Sequence, residues 1–388
     1  MIYFIILALL FLLTIYYDFG NNNLGKIPFF YLVLIMLICL SGFRYRVGGD
    51  TLMYMQTYGL LPTLNELDDF QNPFAKLQPL WLLLVAFSKS ISKEFFILQF
   101  MHAIILNSII FGFIRKHTRY IFTAVLFYYF GYYFYFNFEI LRESLAIAIF
   151  ILSLDYLFQK KWFKYYLLSI VGLLFHFSAI ILFFIPLIVK FRLRTLSYIL
   201  IFVLGYLLNP FFISSLKSLA GSNALLISIF TYLDYNYTIY GLLSLLVLNL
   251  IYPLFIRYVN ESYLKIKSQL NPLLNVYIFI GAITPMFYIF YRFANYLLPV
   301  FFLILANCFV VVVMKKTKHN SKIIMLILIL CSVSFIHTKK YFSDTSEYVN
   351  NSRWYSRWYP YHSIFDKEED PVREKLIIEQ SKPRLNEN

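Results

Sequence analysis

The chain has 388 residues, of which 60% are hydrophobic and only 14% charged. Soluble globular chains carry about 45–50% apolar and about 25% charged residues, so the composition excludes an ordinary cytosolic enzyme, a disordered chain and a nucleic-acid-binding module. The 34 basic and 20 acidic residues leave a formal charge of +14, and aromatics reach 21%. In so apolar a chain, that excess of Lys and Arg reads first as membrane orientation.

A span of bilayer core takes about 20 apolar residues. In chain order, runs that reach or approach this length cover 3–17, 27–43, 95–114, 119–136, 141–159, 196–213, 239–256, 272–290, 296–314 and 321–337. Residues 1–17 lack a basic leader and a small-residue cleavage site, so they read as a retained first span. Residues 78–90 are apolar but short and predict a re-entrant or interfacial helix. Residues 163–189 are too long for one straight span, and Gly172 and His176 near the middle predict two short helices or a hairpin. Cys39, Cys308 and Cys331 lie inside apolar runs with neither metal nor disulfide spacing. The expected fold class is therefore all-α: a polytopic integral membrane protein of about 10–12 transmembrane helices plus re-entrant or interfacial ones. Residues 1–337 form the transmembrane domain, 338–365 an aromatic interfacial segment, and 366–388 a polar, loosely ordered tail.

Orientation follows from where the basic residues fall. Lys26 and the clusters 115–119, 160–164, 190–194, 257–267 and 315–322 hold 17 of the 25 basic residues ahead of residue 338. Placing them all in the cytoplasm fixes the parity if 78–90 does not cross and 163–189 leaves and returns. The outer side then carries the loop 44–77, the junction 137–142, the turn at His176, 214–238, the junction at Arg292 and the C-terminal segment.

Four outer motifs hold residues suited to chemistry. The first is Phe43-Arg44-Tyr45-Arg46-Val47-Gly48-Gly49-Asp50, followed by Tyr54 and Tyr58. Guanidinium forks hold phosphate oxygens bidentately, glycines allow close backbone approach, and Asp50 is placed to take a proton from a hydroxyl. The plainer reading is a basic interfacial anchor with a turn. The second is Glu139-Ile140-Leu141-Arg142-Glu143-Ser144, where Glu139 and Arg142 share a helical face if the helix begins early; a local Arg–Glu pair is the plainer reading. The third is His176, a base or phosphate donor beside a cavity, or simply a packed histidine. The fourth is Tyr291-Arg292-Phe293-Ala294-Asn295-Tyr296, whose isolated arginine either serves a ligand or snorkels. No nucleotide-binding loop, zinc spacing or nucleophile elbow occurs. The four arginines Arg44, Arg46, Arg142 and Arg292 suit a phosphate-bearing, lipid-anchored substrate.

These motifs, with Leu141-Arg142-Glu143, His176-Phe177-Ser178 and the late Pro360-Tyr361-His362-Ser363-Ile364-Phe365, resemble the EpsG family across about residues 1 to 366. Those are bacterial membrane proteins of exopolysaccharide and capsule clusters, similar to Wzy-type O-antigen polymerases. The resemblance implies a GT-C-like polymerase at the outer face of the cytoplasmic membrane. It would transfer an undecaprenyl-diphosphate-linked glycan chain onto a lipid-linked repeat unit. No cofactor or metal is expected. The expected partners are lipid-linked repeat units, membrane lipid, and a flippase and chain-length regulator of the same pathway, with no nucleic acid. Within that reading Arg142 and Arg292 clamp the donor diphosphate, and Arg44 and Arg46 hold the acceptor's or help the first pair. Asp50 or His176 acts as base, while Glu139, Tyr54, Tyr296 and Tyr361 support the sugar. The alternatives are a flippase for lipid-linked sugars, a membrane O-acyltransferase, or a structural partner of the assembly machinery.

Overall fold

Where no water satisfies the backbone, a chain this apolar must close its hydrogen bonds internally, and helices do so. The computed structural model describes residues 1–67, 78–220, 238–314 and 353–381. An isolated antiparallel bridge joins Arg44 and Ser363. The helices are α1 (Ile2–Phe19), α2 (Lys26–Gly42), α3 (Thr51–Leu60), α4 (Pro79–Ile91), α5 (Phe96–His117), α6 (Ile121–Tyr133), α7 (Leu141–Phe158) and α8 (Trp162–Phe175). They continue with α9 (Phe177–Ile188), α10 (Thr195–Ala220), α11 (Ile239–Tyr263), α12 (Asn271–Ile283), α13 (Tyr291–Asn295), α14 (Leu298–Met314) and α15 (Pro371–Ser381). The protein is thus an all-α, multi-pass membrane protein.

Among the described residues, four helices, α1, α5, α10 through Leu216, and α11, are long and apolar enough to cross a membrane unaided. The segment Tyr288–Asn295 with α14 makes a fifth candidate, bent by 64°. That is fewer than the apolar runs lead one to expect, because breaks divide several of them. The run 272–290 stops at Ile283 and turns through Thr284-Pro285-Met286; proline has no amide to donate and disfavours helix in the residue before it. The run 119–136 ends in two wide π-turns, Tyr129–Tyr133 and Tyr135–Glu139. The overlong stretch 163–189 breaks at His176, between α8 and the 3-10 start of α9. Helix α4 has 13 residues, or about 20 Å of length, too short to cross. The run 321–337 lies outside the described residues.

The described residues group into two compact units. Unit 1 comprises Met1–Leu154, Leu167–Phe177 and the described residues 353–381; unit 2 comprises Asp155–Tyr166 and the described residues between 178 and 314.

In unit 1, α2 runs along α5, while α1 packs on α6 and α4 on α5. Gly42 lets α2 approach, since a Cβ there would overlap the Phe100 ring. A buried charge cluster pins one end of the unit. Asp18 meets Lys26 Nζ at 2.9 Å and accepts from the Thr123 amide at 2.7 Å and from its hydroxyl at 2.9 Å. Lys26 also donates to Arg119 O at 2.9 Å, and Arg115 donates to the Tyr31 hydroxyl. The 17 residues of α2 carry the chain about 25 Å from this basic end to the opposite one. There the end of α2, the starts of α1, α5 and α7, and the C-terminal segment converge: Tyr3 in α1 donates to Trp358 O at 2.8 Å.

In unit 2, α10 packs on α12, and α11, α12 and α14 share a buried apolar interior that includes Leu250, Ile256, Val276, Ile280 and Leu303. Tyr277 of α12 stacks on Phe301 of α14, ring centres 4.8 Å apart.

The last described residues depart from expectation. Residues 366–388 read as loosely ordered, yet α15 is a packed helix with Leu376 and Ile377 buried. Its start is locally specified. The Asp370 carboxylate accepts from the Val372 and Arg373 amides at 3.0 and 3.1 Å, and Pro371 fills the first helical position, where its missing amide costs nothing. Residues 382–388 lie outside the described residues.

Candidate active site

The loop after α2 is folded by its own arginine. Arg44 is 1% exposed. Its guanidinium donates to Ser41 O and, at 3.1 Å, to Val47 O, and lies over the Phe138 ring at 4.6 Å. With its amide oxygen turned to the guanidinium, Gln99 of α5 accepts from Nη2 at 3.2 Å. Burial lowers the Arg44 pKa to about 10, well above neutrality, so the charge is retained. This arginine, expected to hold an acceptor diphosphate, is engaged inside the fold. Arg46 has φ of 53° and pairs with Glu374 of α15 and with Glu369 at 3.6 Å. The Glu374 hydrogen bond raises its pKa. Arg46 therefore ties the loop to the last helix.

Gly48 takes φ of 120°, and a Cβ there would lie 2.6 Å from Phe138 O and 2.7 Å from Thr51 Oγ1. Only glycine accepts both constraints. The next residue, Gly49, lies against the buried ion pair of Glu139 and Arg357, 3.4 Å apart. Glu139, expected to support sugar binding, is thus the counter-ion of a C-terminal arginine. Arg357 in turn lies against the rings of Trp354 and Trp358, at 5.0 and 4.4 Å. The loop and the C-terminal segment are zipped by backbone bonds: Tyr45 N to His362 O at 2.8 Å, Gly48 N to Arg357 O at 2.9 Å, and Ile364 N to Phe43 O at 2.9 Å. Tyr361 donates to Leu40 O at 3.1 Å and meets the Tyr3 ring edge-on.

One face of α5 supports the whole assembly. Gln99, His102 and Asn107 are all at most 1% exposed. Gln99 faces Arg44. His102 Nε2 lies 3.1 Å from Leu141 O and 2.9 Å from Ser144 Oγ; a carbonyl can only accept, so Nε2 carries the proton and fixes the first turn of α7. Asn107 donates to Asn137 Oδ1 at 2.8 Å and accepts from the Tyr128 hydroxyl at 2.6 Å, locking the end of the 135–139 turn. Buried polar groups in a membrane interior are costly unless partnered, and each of these three is held by partners from other segments. His102 reads in the sequence as a residue inside a span, without a role. Its company with Gln99 and Asn107, three polar residues within one apolar run, was the available signal.

Arg142 opens α7 and remains partly exposed. The Tyr54 hydroxyl accepts from both its side chain and its backbone amide. Burial raises the Tyr54 pKa, the Arg142 charge counters that rise, and the Asp50 carboxylate is near enough to add to it. Asp50 stands at the start of α3, where its carbonyl accepts from Tyr54 N at 3.0 Å. Tyr54 packs in one apolar cluster with Trp81, Leu141 and Leu145, and Phe175 packs against that cluster. The next residue is His176, partly exposed at the α8–α9 break. Unit 1 thus gathers a cation, a phenol and a carboxylate, with an imidazole one residue beyond the shared cluster. Arg292 and Tyr296 belong to unit 2. Arg292 lies 5.9 Å over the Tyr291 ring, and the buried Tyr296 hydroxyl shares a 2.9 Å hydrogen bond with Ser178.

Arg357 and Arg373 also hold this region together, although in the sequence Arg357 falls in the aromatic interfacial segment and Arg373 in the polar tail. Arg373 is 1% exposed and donates to Ser356 O at 3.0 Å and to Pro360 O. For Arg357 the signal was an arginine flanked by Trp354 and Trp358.

No curated protein and no solved structure matches the chain. The model of the EpsG family matches residues 27–363, a stretch that contains the Arg44 loop, the Arg142 junction, the His176 break and the Arg357 segment, and the chain belongs to the EpsG family.

Proposed function

We propose that the protein is a polysaccharide polymerase that transfers a glycan chain from a polyprenyl diphosphate carrier onto a lipid-linked repeat unit at the outer face of the cytoplasmic membrane. EpsG membership suggests a polysaccharide polymerase-like membrane protein. The observation that carries the reading is the meeting of Arg142, Tyr54 and Asp50 at the end of unit 1 opposite its Lys26–Arg115–Arg119 end. Basic residues favour the cytoplasmic side, which supports an outward-facing site.

In the proposed reaction the acceptor sugar's hydroxyl oxygen attacks the donor's anomeric carbon. A new glycosidic C–O bond forms as the bond from that carbon to the diphosphate oxygen breaks, and the departing diphosphate keeps the electron pair. Asp50 or His176 takes the hydroxyl proton. Arg142, steadied by Tyr54, stabilises the charge that grows on the leaving group. A diphosphate leaves readily without a proton, so one base and a cation suffice. Arg44, Arg46, Glu139 and Tyr361 serve by holding the loop, the junction and the C-terminal segment together. The reading uses residues of unit 1; Arg292 and Tyr296 remain separate candidates to be substituted singly.

Deleting the gene and analysing lipid-linked sugars tests the assignment. Loss of a polymerase leaves single repeat units on the carrier at the outer face. Accumulation inside would make the protein a flippase, and full-length polymer lacking acyl groups would make it an acyltransferase.

A further inference from the structure

Seventeen basic residues record orientation, but five of them in unit 2 are arranged as a site. Two crevices of about 400 and about 460 Å³ share Arg192 and Glu261 as a common wall. Lys265 and Lys267 line the first, Arg194 and Arg257 the second. Two of the five are held within the fold. Arg257 donates to Asn275 Oδ1 and Thr195 Oγ1, both at 3.2 Å, and Arg192 pairs with Glu261 at 2.7 Å. Arg194, Lys265 and Lys267 are exposed, and their side chains make no hydrogen bond or ion pair among the described residues. Glu261 is the only carboxylate in either wall, so the crevices carry a strong positive excess. The start of α10 at Thr195 adds the positive end of a long helix.

The surroundings distinguish among anions. Phe191, Leu196 and Tyr258, next to the crevice cations, are exposed large apolar side chains. A cationic recess flanked by apolar surface fits an amphiphile whose phosphate enters and whose chains remain outside. It lies at the Asn271 end of α12, whereas Arg292 follows the other end, so this is not the arginine named for the donor diphosphate.

We infer that these paired crevices bind the phosphate headgroup of an anionic phospholipid in the leaflet on the basic side of the protein. The full chain, reconstituted in nanodiscs of phosphatidylcholine alone or mixed with phosphatidylglycerol, tests this. The readouts are the thermal midpoint and the lipid retained in native mass spectrometry. Phosphatidylglycerol should raise the midpoint and be retained selectively. The triple variant R194Q/K265Q/K267Q should retain it on the order of a hundredfold less, while K160Q/K161Q/K164Q, which removes as many charges elsewhere, should behave as wild type. Equal losses in both variants would reduce the effect to diffuse charge and overturn the site. So would undiminished retention in the first variant. A rise in midpoint produced equally by inorganic phosphate in detergent would identify a soluble phosphate ligand and overturn the lipid.

Discussion

The Glu139–Arg357 pair joins residues 218 positions apart, and breaking it tests whether the C-terminal segment holds the junction that presents Arg142. The two side chains are 10% and 4% exposed and 3.4 Å apart. Replacing Glu139 by Ala leaves a guanidinium buried between two indoles without its counter-charge, and loss of one partner of a buried pair costs about 3–5 kcal/mol. The lower figure applies here, because the separation is long for an ion pair and the two indole contacts survive. Replacing Arg357 by Ala removes the pair together with cation–π contacts of about 1 kcal/mol, so it should cost about 4 kcal/mol. Each is destabilising chiefly because a charge is stranded, so the double variant should fall short of the sum by about 2 kcal/mol. Thermal unfolding of the purified protein, followed by tryptophan fluorescence, would show the order, and limited proteolysis between residues 353 and 381 would show where the structure opens. Single variants within about 0.5 kcal/mol of wild type, the range of an inconsequential surface change, with additive effects would refute the assignment.

Further outcomes follow from the same geometry. Arg142→Ala should lower polymer formation by about 10²–10³ in rate, the usual effect of removing one group that stabilises developing charge, and Tyr54→Phe by less, since the guanidinium remains; polymer of wild-type length and yield from well-expressed Arg142→Ala would end the proposed mechanism. Gly48→Ala should cost about 1–3 kcal/mol through its disfavoured φ alone, and more than Gly49→Ala, whose Cβ meets only side-chain atoms at 3.0 Å or beyond; equal melting temperatures would contradict the close contact with Phe138. Asp18→Ala should destabilise by about 3 kcal/mol, because Lys26 and the Thr123 amide both lose their partner, whereas Asp18→Asn keeps the Thr123 bonds and should lose about half as much; a harmless Asp18→Ala would remove the pin from the basic end.

Local features of the chain were legible without a structure. The apolar runs located the helices, because burial in lipid needs only length and composition. Gly172 and His176 marked the break between α8 and α9, and the shortness of 78–90 gave the 13-residue α4. The break at Pro285 and the cap at Asp370-Pro371 follow the same local rules, but hydropathy blurs such short interruptions. Of the candidate site, the order of the motifs was visible, as was the presence of a cation, a phenol, a carboxylate and an imidazole.

Which charges face a ligand and which hold the fold together was not visible. Arg44 and Arg142 look alike in sequence, two arginines at the ends of apolar runs. One is enclosed by Ser41, Val47, Phe138 and Gln99, and the other meets Tyr54 at a partly open surface. That difference depends on partners contributed by distant parts of the chain, as does the conversion of Glu139 from sugar ligand to counter-ion of Arg357. By itself the sequence determined an all-α membrane chain and the residue types at its functional end, because hydrophobic length and helix punctuation are local properties. The tertiary structure decided which of those charges the fold encloses, because a buried charge is set by whatever the fold brings against it.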